Sequence, residues 1–370
     1  MKIAYIITTI GIGGAEVLTV DIANRMVRGG NKVMLLYLLG GAGANSLIPC
    51  LDSQVEVISL GLRKSFWSFW YFIKALIKTH ALFKKFRPDL IHAQMFHANI
   101  FARILRLLYY RPKLICTEHN KNIESEFRLV LYRFTNCLSD LNTNVSKEAV
   151  NYFFEKKAFK RSNSRVVYNY VDLSKFVYNE TARQKIRQQY DIEEDDFLFI
   201  NVGRLTEQKD QYNLIEAFST LTGAKLIIAG MGELLSDLKQ FAIDKGVASK
   251  VIFAGVHKNI EDYYNAADCF VLSSLWEGLP VAFLEAMASS LPIITTDVSD
   301  CREIIDNDEF VVPSHDNIQL AAKMRQIQTI SSIGLKEIGE RNRKKASSFD
   351  IVQIVAEWMS IYTSIVQKSL

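Results

Sequence analysis

The sequence predicts an α/β protein made of two doubly wound parallel sheets. Three observations carry that expectation. Thirteen short apolar runs, rich in Val and Ile, alternate with amphipathic stretches along the chain. This is the pattern of strands covered on both faces by helices. The chain has 370 residues, long for one core, so two domains are the natural division. Residues 174–196 are polar, rich in charge and free of long apolar runs. The boundary is placed there, with Rossmann-like domains over 1–172 and 173–350 and a closing segment over 351–370.

Strands are expected in the first half at 3–10, 33–38, 55–60, 90–93, 114–117, 141–145 and 166–168. Gly11-Ile12-Gly13-Gly14-Ala15-Glu16 after the first run fits a strand-to-helix turn. In the second half strands are expected at 197–202, 225–229, 251–254, 269–273, 293–296 and 310–312. Between the runs at 269–273 and 293–296 stands Trp276-Glu277-Gly278-Leu279-Pro280. Gly278 permits a tight turn and close backbone approach. Pro280 suits the first turn of a helix. Val281 to Ala288 is apolar except for Glu285, so the helix there is expected to be buried on every face. The stretch 351–366 is amphipathic and follows the last strand.

Charged residues make up 23% and apolar residues 49% of the chain, ordinary values for a soluble globular protein. The five cysteines show no CxxC or ligand-like spacing and read as free thiols in a reducing compartment. No small-residue cleavage site follows the apolar N-terminus, so no signal peptide is expected. No run of about 18 uncharged apolar residues occurs, so no transmembrane helix is expected either. Up to Asp172 there are 24 Lys and Arg against 12 Asp and Glu; the remainder holds 20 against 28. A first half this basic implies a polyanionic neighbour: an acidic membrane, a diphosphate-linked acceptor or nucleic acid. Within it, residues 63–87 mix Phe66, Trp67, Phe69, Trp70, Tyr71 and Phe72 with Arg63, Lys64, Lys74, Lys78, Lys84, Lys85 and Arg87. That composition fits an interfacial basic helix or a buried helix with a basic outer face.

The chemistry-bearing residues fall at strand ends. Glu277 and Glu285 flank a helix N-terminus, whose free N–H groups favour an anion such as phosphate. Phosphate at the amides with hydroxyls at the carboxylates describes a sugar nucleotide; a structural ion pair or a satisfied cap is the alternative. Asn201-Val202-Gly203-Arg204 and Lys209 place two cations at the carboxyl edge of a sheet, where ligands bind in open α/β folds. Arg offers a fork matched to phosphate and Lys a point charge; solvated surface cations are the alternative. His119 in Thr117-Glu118-His119-Asn120 ends another strand. His92 at a strand end reads as structural or acceptor-side. An NAD site at Gly13-Gly14 is disfavoured, because Glu16 replaces the third glycine and no acid ends the second strand.

Taken together, these motifs resemble the retaining GT-B glycosyltransferases, particularly glycosyltransferase family 4. Glu277 and Glu285 match E-x7-E, and Gly203-Arg204 with Lys209 matches G-R-x4-K. Thr117-Glu118-His119-Asn120 is similar to T-x-H-D, Gly13-Gly14-Ala15-Glu16 to the first loop, and Tyr263 to Asp268 to Y-x-x-A-D. The resemblance runs from about residue 3 to 360 and is most specific over 201–297. The departures are Asn120 for the usual acid, Asp210 for Gly, Gln94 where relatives often carry a second His, and Tyr170 for Gly.

The resemblance implies a cleft between an acceptor-binding first domain and a sugar-nucleotide-binding second one, with 351–370 packing back on the first. It implies catalytic roles for His119, Glu277, Arg204 and Lys209. His119 lies near the anomeric carbon, and Arg204 and Lys209 hold the departing diphosphate. It implies donor binding by Gly13, Gly14, Arg204, Lys209, Gly230, Met231, Val256, His257, Glu277, Gly278, Leu279 and Glu285, without a metal. Here Glu277 takes donor-sugar hydroxyls, Glu285 the ribose hydroxyls, and the 256–258 loop the base through backbone groups. The expected function is retaining, metal-independent transfer from a UDP- or GDP-linked sugar, without a cofactor. The acceptor is a saccharide or a lipid-diphosphate-linked saccharide in cell-surface polysaccharide synthesis. The alternatives are a sugar-nucleotide epimerase of the same fold and a non-catalytic sugar-nucleotide-binding protein. The expected setting is cytoplasmic, peripheral on the inner face of the cytoplasmic membrane through residues 63–87; nucleic acid is not an expected partner.

Overall fold

The computed structural model describes residues 1–11, 13–40, 46–62, 68–121, 125–305 and 308–367. Ile12, Arg63, Lys64, Phe66 and Trp67 of the motifs above lie outside the described residues. The chain divides into two compact units, Met1–Asn169 with Gln353–Leu370, and Tyr170–Val352.

The first unit holds β1 (Lys2–Ile7), β2 (Lys32–Leu39), β3 (Glu56–Leu62), β4 (Leu90–Gln94), β5 (Lys113–Glu118), β6 (Leu141–Asn144) and β7 (Ser164–Val166). They form one parallel sheet in the order β3-β2-β1-β4-β5-β6-β7. The second unit holds β8 (Phe197–Val202), β9 (Ala224–Ala229), β10 (Val251–Gly255), β11 (Cys269–Leu272), β12 (Ile293–Thr296) and β13 (Val311–Val312). Their order is β10-β9-β8-β11-β12-β13, again parallel. Strand order reverses beside β1 in the first sheet and beside β8 in the second. Loops leaving the strands there diverge to opposite faces, and ligands bind at such switch points.

Every expected strand is present; most differ by a residue or two at an end, and two depart furthest. β1 stops at Ile7 although the β-branched run continues to Ile10. On one side its neighbour ends there, since Ile7 pairs with Gln94, the last residue of β4; on the other, Leu39 N of β2 still bonds Thr8 O. β7 lies two residues earlier than expected, because its last partner is Asn144, where β6 ends.

The cores follow from the apolar runs. All five positions of β4 are buried. In the second unit Phe199, Leu214, Phe218, Leu226, Val271 and Ile294 join strands to covering helices, each fully buried side chain contributing about 1.5–3 kcal/mol. The helix Ile351–Gln367 buries Ile354, Trp358, Ile361 and Tyr362, one stripe at helical spacing. Its Tyr362 hydroxyl meets that of Tyr5 at 3.1 Å, and its Glu357 pairs with Arg165 at 2.7 Å.

The helix Val281–Ala288 departs from the expectation of burial all round. Phe283, Leu284, Ala286, Met287 and Ala288 are buried, whereas Val281, Ala282 and Glu285 are partly exposed. Residues 281 and 285 are four apart and share a face, so Glu285 lies on the open side. Pro280 is the N-cap in extended conformation, one position before the first turn.

The helix Ser68–Phe86 buries Ala75, Leu76 and Phe83. Its outer face carries Lys74, Lys78, Lys84 and Lys85 together with Phe69, Trp70 and Ile77, which are 57–66% exposed.

Candidate active site

β8 and β11 are neighbours at the switch point of the second sheet, and both continue into loops that carry ionisable groups. The β8 loop carries Gly203, Arg204 and Lys209; the β11 loop carries Ser274 and Glu277. The loops are tied by backbone-directed bonds: Leu275 N donates to Gln208 O at 2.8 Å, and Ser273 Oγ to Lys209 O at 2.7 Å. This brings Lys209 Nζ to 2.5 Å from Glu277 Oε1, with the two side chains only 14% and 7% exposed. Ser274 Oγ donates to the same oxygen at 2.7 Å. Gln208 Nε2 donates to Glu277 Oε2 at 3.3 Å and to the Trp276 carbonyl at 2.9 Å. A pair this buried persists only when further hydrogen bonds offset its desolvation, and Ser274 and Gln208 supply them. The Lys209 stem lies over Gly203, where a Cβ would stand 3.1 Å from Lys209 Cε.

Asp210, the departure from glycine, adopts left-handed backbone with φ of 46°. Asp tolerates that conformation better than most residues. Its side chain caps the helix Gln211–Phe218 through Asn213 N and accepts from His315 Nδ1 at 2.7 Å. The hydrogen bond to Asp210 and its charge raise the His315 pKa above its ordinary value.

The loop after β9 runs directly against the β8 loop. Gly203 N donates to Ala229 O and Leu205 N to Met231 O, both at 3.0 Å. A Cβ on Gly230 would overlap the Gly203 carbonyl, and one on Gly232 the Leu205 carbonyl. Met231 is left exposed, as are Arg204 and Val256. His257 stacks on Tyr263 with centroids 4.3 Å apart, its Nε2 2.7 Å from the Ala254 carbonyl.

Gly278, Leu279 and Pro280 are buried at the start of the helix Val281–Ala288, and no side chain caps that helix. The amides of Val281 and Ala282 precede the first bond to the Pro280 carbonyl, which Phe283 N makes, and have no acceptor within the helix. Glu285 Oε2 accepts from the Tyr264 hydroxyl at 3.0 Å. Burial raises the Glu285 carboxyl above its ordinary range, and the Tyr264 bond works against that rise. Glu277 and Glu285 thus have different partners. Among the described residues, no three His, Cys, Asp or Glu side chains gather to hold a metal ion.

In the first unit, Gly13 caps the helix Gly14–Arg28 without a side-chain bond. The Glu16 carboxylate folds over Gly13 and accepts from Thr9 Oγ1 at 3.0 Å. His119 follows β5. Strand alternation sends Thr117 and His119 one way and Glu118 the other. Glu118 accepts from Asn99 at 3.0 Å and from the Tyr132 hydroxyl. Burial raises its carboxyl to about 7. His119 Nε2 bonds Gln94 Oε1 at 2.7 Å, and burial pushes His119 down to about 4.

Sequence reasoning missed Ser274, Gln208 and Tyr264. Ser274 stands three residues before Glu277 in the loop after β11, and that spacing was the available signal. Nothing in the sequence marks the approach of Tyr264 to Glu285.

Two family models match this chain, that of the glycosyl transferases group 1 over residues 182–345 and that of glycosyltransferase family 4 over residues 12–175. The chain is a glycosyltransferase. The glycosyltransferase is 27% identical to an Escherichia coli UDP-Gal:alpha-D-GlcNAc-diphosphoundecaprenol alpha-1,3-galactosyltransferase, over 80% of each chain. It is 25% identical to a Campylobacter jejuni GalNAc-alpha-(1->4)-GalNAc-alpha-(1->3)-diNAcBac-PP-undecaprenol alpha-1,4-N-acetyl-D-galactosaminyltransferase, over 99% of each. Among solved structures it is similar to Anabaena HepE in complex with UDP, with a TM-score of 0.84 at 20% identity over 98% of this chain and 100% of that one. The two sheets of the glycosyltransferase are those of the GT-B fold.

Proposed function

We propose that this glycosyltransferase is retaining and metal-independent. It moves a hexose from a UDP- or GDP-linked donor to a saccharide or lipid-diphosphate-linked saccharide, in cell-surface polysaccharide synthesis. The observation that carries this reading is the Lys209–Glu277 pair at the β8/β11 switch point. It sets a fixed cation beside an acceptor of hydroxyl protons, the two needs of a sugar diphosphate. Lys209, the exposed Arg204 and the amides opening the helix Val281–Ala288 stabilise the charge that develops on the leaving diphosphate. Glu277 takes hydroxyls of the donor sugar, and Glu285 those of the ribose. The 256–258 backbone faces the base. His119 keeps the place near the reacting carbon that the resemblance gives it. At Gly13 and Gly14 the nearby Glu16 carboxylate favours a hydroxyl over a phosphate. The choice of donor and acceptor draws on solved neighbours in complex with UDP and with UDP-glucose and on relatives named for diphosphoundecaprenol- or PP-undecaprenol-linked acceptors.

A thermal-shift panel of UDP-, GDP-, ADP- and dTDP-linked sugars tests the donor. A ligand at 100 times its Kd should stabilise the fold by about 2.7 kcal/mol. A selective shift with UDP or GDP sugars is expected; a shift with neither removes this donor assignment.

The helix Ser68–Phe86 is proposed to rest on the inner face of the cytoplasmic membrane. Its support is the outer face, where Phe69, Trp70 and Ile77 are exposed among four lysines, a composition suited to anionic lipid. The protein should float with anionic liposomes at low salt and dissociate as salt rises. Failure to float at low salt refutes the placement.

A further inference from the structure

A buried chain of hydrogen bonds runs through the first unit behind His119. The Tyr5 hydroxyl meets the Tyr362 hydroxyl at 3.1 Å, and Tyr362 meets His92 Nδ1 at 2.6 Å. His92 Nε2 lies 2.7 Å from Thr117 Oγ1 and 3.1 Å from Gln94 Nε2. Thr117 Oγ1 is in turn 2.6 Å from Thr143 Oγ1. Gln94 Oε1 is the 2.7 Å partner of His119 Nε2. Tyr5, His92 and Tyr362 are fully buried, and Gln94 is 4% exposed.

The amide of Gln94 gives this chain a direction. An amide nitrogen only donates and an amide oxygen only accepts. His92 Nε2 must then carry the lone pair, and His92 Nδ1 the proton that goes to Tyr362. His119 Nε2 must carry a proton for Gln94 Oε1. That leaves His119 Nδ1 with a lone pair. This atom is buried and has no hydrogen-bond partner among the described residues. The backbone beside Gln94 is also held in an unusual state. Met95 has φ of 70° and ψ of 161°, a region that few residues other than glycine enter, and such strain collects at functional positions. The Met95 amide donates to Thr117 O at 2.9 Å, which anchors the residue next to Gln94 to the neighbouring strand.

We propose that Gln94 is a positioning residue: it locks His119 as the Nε2–H tautomer, so that Nδ1 is presented as an acceptor for a hydroxyl of the bound substrate. The inference rests on the glycosyltransferase reading of this site. A bare Nδ1 takes a hydrogen bond and gives none, so His119 orients a sugar hydroxyl and does not protonate a leaving group. Burial supports the neutral ring, pushing His92 down to about 3 and His119 to about 4.

Selective nitrogen-15 labelling of histidine in the full chain reads the tautomer directly, with the His119→Gln spectrum assigning the signal. The wild-type protein should show a protonated Nε2 and a bare Nδ1 at pH 7.5. Gln94→Leu, checked for folding by its thermal melt, should lose the single tautomer and lower kcat by on the order of 10- to 100-fold. Gln94→Glu keeps an acceptor opposite Nε2. It should restore the Nε2–H tautomer and much of kcat, and should raise the His119 pKa so that kcat falls as pH drops from 8 to 6. A bare Nε2 in the wild-type protein overturns the inference, as does wild-type kcat in a folded Gln94→Leu variant. The Nε2–H signal in a protein that transfers no sugar supports this inference and overturns the proposed function instead.

Discussion

Glu277→Ala should lower sugar transfer by on the order of 10³-fold or more. The substitution removes the carboxylate proposed to hold the donor sugar. It also strips Lys209 of its partner in a site where that side chain is 14% exposed. Removing one member of a buried pair costs about 3–5 kcal/mol of stability, since the remaining charge stays desolvated. Loss of activity in this variant alone would therefore mix chemistry with folding. Glu277→Gln separates them, because its amide oxygen still accepts from Ser274 Oγ, which now stands 2.7 Å from Glu277 Oε1. Its neutral amide does not replace the lost charge, so this variant should melt below the wild type but above Glu277→Ala, and still be slow. Lys209→Ala should be slow as well, and the double variant little slower than either, since groups that act as a unit are not additive. Release of nucleoside diphosphate measures all four proteins. Wild-type turnover in a folded Glu277→Gln protein would reduce the pair to a structural ion pair.

Gly230→Ala should destabilise the protein by about 3 kcal/mol, combining backbone strain with overpacking. The unfolding midpoint should fall by roughly 6–12 °C. Gly230 has φ of 149°, and a Cβ there would meet the Gly203 carbonyl. Neither party can yield cheaply, because both belong to the backbone joined by the Gly203 N to Ala229 O bond. The damage reaches the site as well, for Gly203 supports the stem of Lys209. The donor Kd should therefore weaken at temperatures where the variant is still folded. An unchanged melt would show that the two loops are not held as closely as the geometry states.

The strands were legible because burial on both faces leaves continuous apolar runs. Their ends were less legible, since a strand stops where its neighbour stops. Thr8, Thr9 and Ile10 look like strand, but β4 has no residue after Gln94 to pair with them. The charged motifs were legible through fixed short spacings, as in Gly203-Arg204 with Lys209 and in Glu277 with Glu285. Their partners were not. Tyr264 reaches Glu285 across 21 positions, and Tyr362 reaches His92 across 270; no local pattern records either approach. The half-open side of the helix Val281–Ala288 escaped for a similar reason: an apolar sequence states what can be buried, and only the packing states which face is.

The Tyr362–His92 bond also has a meaning in time. The first unit is completed by Gln353–Leu370, which is synthesised after the second unit, Tyr170–Val352. Translation proceeds at about 5–20 residues per second, and domains made first ordinarily fold first. Here the sheet of the first unit is finished early, yet its buried hydroxyl at position 362 arrives only after the whole second unit has been made. Until then the His92 imidazole waits without its deepest partner, and the unit begun first is the one finished last.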